Sequence, residues 1–513
     1  MDRPLLAAPG DRVPQSVRRG GEGFLIVHGA EEFGDVRAAR GDRFGDQVFP
    51  AAEVVQQHPL ARPQRFAHRR ERQVRQAVRR QVTHGLLEQF GATAGSGIHP
   101  LTVPIGTPYR PFVYRSVHGR GGLMAGKALS VAIVGGGIGG LTLALALRQR
   151  GIGAEVYERS AELREVGAAV ALAANGSRIL GRLGLRDELA ACSAVPTELV
   201  YRHWRSGQRV MAYPVGDSYE ERFAGPYFGV HRADLQRILA DACGKVHLGR
   251  QVTGVGADGS RYRLEFADGT SETADVVVGA DGVHSTVREW VDDAPFARYS
   301  GSSGFRGLVP VERLPSLPDA GAIQFWMGPG GHLLHYAIGD GSVVNFLAVL
   351  DEPDVWPGES WTEDIPRERI EAAFEGWHPA VREMVGATTL YQRWGLFGQH
   401  PLNRWHRGGV VLLGDAAHAM LPHHGQGANQ TIEDAVTLAE CLARDSRDAA
   451  LARYEKLRRP RTRAVQRSSW VANALLHLPD GPAAEARDAA LGRIGETVEW
   501  IHAHDALAAA GRG

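Results

Sequence analysis

"SVAIVGGGIGGLTLALALRQRGIGAEVYERS", Ser130–Ser160, decides the fold. An apolar β-type run leads into Gly135, Gly137 and Gly140 at GxGxxG spacing, and alanines and leucines at helical spacing follow. In such a turn the first glycine permits the tight bend. The second lets backbone approach a pyrophosphate, and the third lets helix and strand pack closely. The helix N-terminus is then aimed at the phosphates. A second strand, "GAEVYERS", ends with Glu158 and Arg159, and Glu158 lies 21 residues after Gly137. An acid at that distance accepts hydrogen bonds from the adenosine ribose. Strand, turn, helix, strand and acid together specify a dinucleotide site, with FAD and NAD(P) both open at this point.

Upstream of this unit the texture is different. Residues 1–123 hold 18 arginines, no lysine and 11 acidic residues, with runs such as "RFAHRRERQVRQAVRRQ" and few sustained apolar periods. No core is legible there, so a disordered extension or a mis-assigned upstream translation is expected, with the functional chain starting near Met124. The competing reading, a basic nucleic-acid arm, is weakened by the acidic residues among the basic ones. Over the whole chain Lys plus Arg and Asp plus Glu are both 58, so no global field attracts nucleic acid or anionic lipid. Cys192, Cys243 and Cys441 lie far apart without CxxC spacing, which argues against disulfides and a zinc site and for a reducing cytoplasm. Ala128–Leu147 carries no charge, but five glycines within six positions fit a strand, turn and buried helix better than a membrane span.

Downstream, two turns repeat one device. "ADVVVGADGVHSTVREWV" is a buried strand followed by Asp281 and Gly282, then a helix beginning near Ser285. "GGVVLLGDAAHAMLPHHGQGANQTIEDAVTLAECLA" sets Gly414 and Asp415 after a strand, then a proline and glycine loop, then a long helix. That helix is expected to start near Asn429 or Thr431, with Thr431 and Asp434 as its capping pair. Its N-terminus, pointed at a flavin's pyrimidine edge, would stabilise the negative charge gathered there on reduction.

With these three turns in order, the stretch from Ser130 to about Ala508 resembles the single-component FAD-dependent aromatic hydroxylases, salicylate hydroxylase and 3-hydroxybenzoate 6-hydroxylase among them. "GVHRADLQRIL", "GFRGLVPVERLP", "GPGGHLLHYAI", "VNFLAVLD", "YEKLRRPRTRAVQ" and "EWIHAHDA" extend the likeness. The resemblance implies an α/β fold: a Rossmann-type FAD-binding domain interleaved with a β-sheet substrate domain, closed by C-terminal helices. The expected division is FAD-binding 124–200, 231–297 and 401–513, and substrate domain 201–230 and 298–400. The cofactor set it implies is Gly135, Gly137, Ile138, Gly139, Gly140, Glu158, Arg159, Arg232, Val252, Asp281, Asp415, Pro422, Gly425, Gly427, Ala428 and Asn429, with no metal. It further implies that NADH or NADPH reduces FAD, that O2 adds to give a C4a-hydroperoxide, and that oxygen passes to a small aromatic such as a hydroxybenzoate, salicylate or hydroxypyridine. A monomer or homodimer is expected, with neither membrane nor nucleic acid as partner.

A phenol reacts best as its phenolate, which gives a histidine near the ring a use as base. His332 and His335 with Tyr336, and the adjacent His423 and His424, are the candidates. Strand alternation puts His335 on the opposite face from His332 and Tyr336. The sequence favours His424, the nearer to the glycines of "LPHHGQGAN", with His335 second; these two histidines departing from the family pattern leave the substrate open. Arg306 is a candidate for a substrate carboxylate, and His418 for holding the FAD turn. Alternatives are a same-fold hydroxylase or epoxidase of a natural-product intermediate and an FAD protein without turnover. The halogenase pattern WxWxIP and the Baeyer-Villiger pattern FxGxxxHxxxW are missing from the sequence. Residues 124–513 expressed alone should fold and retain FAD by absorbance, and loss of either would refute the proposed start.

Overall fold

Val131–Val134 is four apolar residues buried on every side, as the centre of a parallel sheet requires. In the computed structural model, which describes residues 129–513 except 164–168, 293–296, 353–355, 357–361 and 513, this strand occupies that centre. It pairs in parallel with Ala154–Tyr157 on one side and Val276–Gly279 on the other. Val410–Leu412 adds in parallel beyond Val276–Gly279, and Val246–His247 beyond Ala154–Tyr157. Stretches far apart in the chain thus build one sheet, and the turns after its strands collect at one end. The expectations for residues 1–123 and for Met124 lie outside the described residues.

Two smaller sheets have three strands each, and a second large sheet, mostly antiparallel, has eight. Its centre is Arg298–Pro310, Val343–Asp351, Gly331–Ile338 and Ile323–Gly328, with Glu198–His203 and Arg209–Pro214 at one edge. Register across it sets up rows. Tyr336 lies beside Asn345 and Asn345 beside Leu308; Leu334 lies beside Leu347 and Leu347 beside Arg306; His332 lies beside Val349. Because strand residues alternate, these rows share one face, while Leu333 and His335 go to the other. That other face packs Trp326, Leu333 and Phe346 against Ile370, Val381 and Met384 of two helices. The chain is therefore α/β, a Rossmann-type parallel sheet interleaved with a large antiparallel sheet and closed by C-terminal helices.

One helix start differs from the sequence expectation. The helix spans Gly427–Arg444 and has no side-chain cap. Gly425 takes a left-handed φ of 60° at the end of a 3-10 turn, Pro422–His424, so the chain enters the helix at once. Thr431 is a full turn inside, its hydroxyl donating to the Gly427 carbonyl at 2.8 Å, and Asp434 turns into the core.

There the helix meets Arg447–Leu476 through a buried charge network. Arg458 Nε lies 2.6 Å from Asp434 and its guanidinium also bonds Glu433; Arg461 Nε reaches Glu433 at 2.8 Å. Asn175 donates to Glu433 at 2.6 Å, and Asp434 accepts the Gly414 N–H at 3.1 Å. Burial works to raise the Glu433 carboxyl, but Arg461 and Arg458 outweigh it and hold the group far below the ordinary carboxylate range. The Asp434 carboxyl is likewise depressed despite burial, by His418 and Arg458. Carboxyls with depressed folded pKa values contribute stability above the unfolded carboxylate range and lose it as pH falls through the folded values. Acid should therefore unfold the native chain, and Arg458→Met, which leaves buried charge unpaired, should cost about 3–5 kcal/mol in urea denaturation. A midpoint unchanged by Arg458→Met would refute this account of the network.

Candidate active site

Three glycine turns meet at the strand ends because nothing larger than hydrogen fits between them. A Cβ on Gly135, where φ is +111°, would lie 2.3 Å from the Ala280 carbonyl oxygen, next to the Asp281 turn. A Cβ on Gly139 would lie 2.5 Å from Thr431 and 2.6 Å from Leu413, so the first turn packs on the third. Gly140 sits against Gly135, with 2.0 Å between an added Cβ and the Gly135 oxygen. Its role is packing, and it does not face the cavity that the turns enclose.

That cavity has a volume of about 620 Å³ and joins the turns to the face of the eight-stranded sheet. Gly135, Gly137, Ile138 and Gly139 line it from the first turn, and Glu158 and Arg159 from the second strand's end. Glu158 accepts the Gly136 N–H at 2.7 Å and the Ser160 N–H at 2.9 Å, so it braces the glycine turn as well as facing the cavity. Arg232 and Val252 border the same end, and Asp281 and Asp415 line it from the later turns. Burial raises the Asp281 carboxyl, offset by hydrogen bonds from Ser285 at 2.5 Å and the Val287 N–H at 3.2 Å, so it also caps the helix Thr286–Val291. Asp415 is exposed, whereas Ala416, Ala417 and His418 behind it are buried. His418 Nε2 lies 2.5 Å from Asp434 and braces this turn from behind.

Pro422, Gly425, Gly427 and Ala428 line the middle of the cavity. Gly137 and Gly427 have no atom within 4 Å of an added Cβ, leaving two open helix N-termini that a phosphate or a ring edge can approach. This is a cradle into which a methyl group would intrude, and it fits a bound dinucleotide. Asn429 is not in the wall. It is buried, accepts the Ala173 N–H at 3.1 Å and donates to Ala171 and Gly425 at 2.9 and 2.8 Å, which clamps the loop from behind.

The two histidines favoured as base stand elsewhere. A 3-10 turn has three residues per turn, so Pro422 and Gly425 share the cavity face and the histidines between them point away. His424 Nε2 lies 2.9 Å from the Ser468 hydroxyl, and His423 is buried beside His332 with ring centroids 5.2 Å apart. His335 is on the far face of the sheet, 6.4 Å from Trp326, and burial pulls it down to about 3. Neither His424 nor His335 borders the cavity. Tyr336 does, and burial raises its phenol, so it is a proton donor at neutral pH.

The polar groups on the sheet side are Tyr336, Asn345 and Arg306, set among Leu334, Leu347 and Leu421. The Arg306 guanidinium lies 5.4 Å from the Trp394 ring, with its Nε buried and without a hydrogen-bond partner. Burial and the neighbouring Arg232 both lower its pKa. Gln236, whose amide donates to the Gly136 oxygen at 3.0 Å, was not anticipated. It lies one helical turn after Arg232, and i, i+4 spacing from that residue was the signal available.

Residues 128–469 match the model of the FAD binding domain family. The chain is 43% identical over 372 residues to 3-amino-4-hydroxybenzoate 2-monooxygenase of Streptomyces cremeus, covering 71% of this chain and 92% of the relative. It is 34% identical to salicylate hydroxylase of Pseudomonas putida, over 74% of this chain and 93% of that one. Among solved structures, HpxO of Klebsiella pneumoniae, complexed with FAD and uric acid, superimposes with a TM-score of 0.66 at 29% identity, over 75% of this chain and 98% of that one. The chain belongs to the single-component FAD-dependent aromatic hydroxylase family. It is an FAD-dependent monooxygenase.

The two glycines of the first turn separate packing from cofactor binding. Gly137→Ala should fold with stability within about 1 kcal/mol of native yet purify with little FAD. Gly140→Ala should fail to fold. Full FAD occupancy in Gly137→Ala, read from flavin absorbance, would contradict this placement of the pyrophosphate.

Proposed function

We propose that the chain hydroxylates a small aromatic acid carrying a ring hydroxyl, an aminohydroxybenzoate or a close analogue, using O2 and NADH or NADPH. The observation that carries this reading is Arg306: a guanidinium on the cavity wall whose buried Nε has no partner, with apolar side chains around it. A carboxylate is the ligand that satisfies it, since a planar guanidinium binds carboxylate in a two-pronged fashion. The name of the Streptomyces cremeus relative, an aminohydroxybenzoate monooxygenase, agrees with that chemistry.

In this reading Glu158, Arg159, Arg232, Val252 and Asp281 hold the adenosine and pyrophosphate end of FAD. Asp415 meets the ribityl region, and Pro422, Gly425, Gly427 and Ala428 border its ring system. When bound, FAD supplies hydride acceptance and the activation of O2. The helix beginning at Gly427 presents its positive end to the charge that collects there on reduction. On the substrate side Arg306 fixes the acid group, and Tyr336 and Asn345 sit side by side on neighbouring strands to hydrogen-bond a ring hydroxyl or amine. Tyr336, held protonated, donates to a phenolate oxygen and so favours the more reactive ionised ring. Leu334, Leu347 and Leu421 keep water from the reacting carbon. Of the two GxGxxG matches in the sequence, Gly135–Gly140 opens a helix and is given over to FAD, whereas Gly254–Gly259 runs along an antiparallel strand, so the reduced nicotinamide comes from solvent and leaves.

An aromatic acid that is a substrate should accelerate NADH or NADPH oxidation by the FAD-loaded protein, with product formed in step. Arg306→Met should weaken that acid's KM roughly 10- to 100-fold, the worth of one charged hydrogen-bonded contact of about 1.5–3 kcal/mol, while the matching phenol without its carboxylate loses nothing. Equal losses for acid and phenol would remove Arg306 from carboxylate recognition.

A further inference from the structure

One side chain on the cavity wall is easily oxidised, and the function above does not use it. Met420 lines the cavity and is only partly buried, whereas its neighbours Ala419 and Leu421 are 5% and 1% exposed. Among the described residues it is the one sulfur in that wall. Cys192, Cys243 and Cys441 do not border the cavity, and neither do Met211, Met327 and Met384. Along the chain Met420 stands five residues after Asp415 and two before Pro422, between the groups assigned to the ribityl chain and to the ring system of FAD.

The segment that carries it is anchored on both sides. The Ala419 carbonyl accepts the Gln399 N–H and the Gln466 amide, each at 3.1 Å, and the Leu421 carbonyl accepts the Ser469 hydroxyl at 3.1 Å. Gln466 and Ser469 belong to the helix Arg447–Leu476, so the backbone around Met420 is tied to a long rigid element. That backbone is extended, with φ and ψ of −47° and 130° at Ala419 and −68° and 148° at Leu421.

The reactivity of the site follows from its polarizable sulfur. A thioether lone pair takes up an electrophilic oxygen atom, and the resulting sulfoxide turns a flexible apolar side chain into a polar, chiral one. Oxygen transfer to a ring requires an aromatic molecule in the cavity. With none there, the sulfur on the wall is the remaining soft acceptor, and a reagent generated in the same cavity acts on it at an effective concentration far above that of peroxide dispersed in the buffer. Leu421, next in the chain, packs with Leu347 in one apolar cluster, so a sulfoxide oxygen here lacks donors and draws water into this side of the cavity.

We propose that Met420 is a self-oxidation site: when no aromatic acceptor is bound, the oxygen atom activated at the flavin passes to its sulfur, and the sulfoxide loosens FAD and ends further consumption of reductant. The proposal rests on the placement of FAD given above. The balance is that of the ring reaction. An S–O bond forms from the sulfur lone pair as the O–O bond breaks; one atom of O2 stays on sulfur and the other leaves with two protons as water. Of the four electrons that O2 takes up, two come from the reduced flavin and two from the sulfur. A protein that spends reductant without an acceptor is thereby withdrawn from turnover.

The test uses the FAD-loaded full chain. FAD is reduced anaerobically by light with EDTA as electron donor, isotopically heavy O2 is then admitted in the dark, and the cycle is repeated with catalase present and no aromatic acid. Catalase removes peroxide that escapes to the buffer, and the label excludes methionine oxidised during handling. Peptide mass spectrometry should find heavy oxygen at Met420 roughly tenfold or more above Met211, which is also partly buried but lies on the edge strand Arg209–Pro214 and does not line the cavity. Flavin retained through gel filtration should fall in step with the sulfoxide in native protein and hold steady in Met420→Leu cycled alike. Equal labelling of Met420 and Met211, or labelled Met420 with full FAD retention, would overturn the proposal. Absence of label from every methionine would overturn self-oxidation alone, whereas label on Met211, Met327 or Met384 with Met420 clean would overturn the placement of FAD as well.

Discussion

The buried ion network around Arg458 is the constraint on which the rest depends. Glu433 and Asp434 are consecutive residues of one helix, fully buried, and each ties that helix to a different part of the chain. Through Asp434 the helix is bound to the Gly414 amide and to His418, which fixes the third turn; through Glu433 it is bound to Asn175 and Arg461. Buried ion pairs add little net stability over apolar packing, but an unmatched partner is heavily penalised. The network therefore selects one arrangement of segments more than two hundred residues apart. In that arrangement the uncapped start of the same helix, at Gly427, opens on the cavity.

The cavity has two chemically distinct ends. One is backbone and glycine, with helix N-termini and the carboxylates of Glu158, Asp281 and Asp415, a surface suited to phosphates and ribose hydroxyls. The other is the face of an antiparallel sheet, apolar apart from Arg306, Tyr336 and Asn345. Arg232 and Arg306 are close enough for each to feel the other's charge, so the junction favours an anion.

The turns were legible in the sequence because their chemistry is local. GxGxxG between a strand and a helix, Asp-Gly and Gly-Asp after apolar strands, and an acid at the end of the second strand each require only neighbours in the chain. The fold class followed from their order. The histidines were not legible for the opposite reason. Nearness to glycines points to His424, but the pitch of a 3-10 turn sends Pro422 and Gly425 to one side and the two histidines to the other. His335 could be assigned to the face opposite Tyr336 by alternation; which of those faces met the cavity depends on helices packed from elsewhere. The helix start at Gly427 was hidden because a threonine and an aspartate resembling a cap serve the interior instead.

The central claim is that this cavity brings FAD and an aromatic acid together so that one atom of O2 enters the ring. Turnover of 3-amino-4-hydroxybenzoate under isotopically heavy O2, followed by mass spectrometry of the product, tests it most directly. The account predicts a hydroxylated product carrying a single heavy oxygen atom, and none when the label is in the water. Label drawn from water, or reductant consumed with no ring hydroxylation of this or any related aromatic acid, would contradict it.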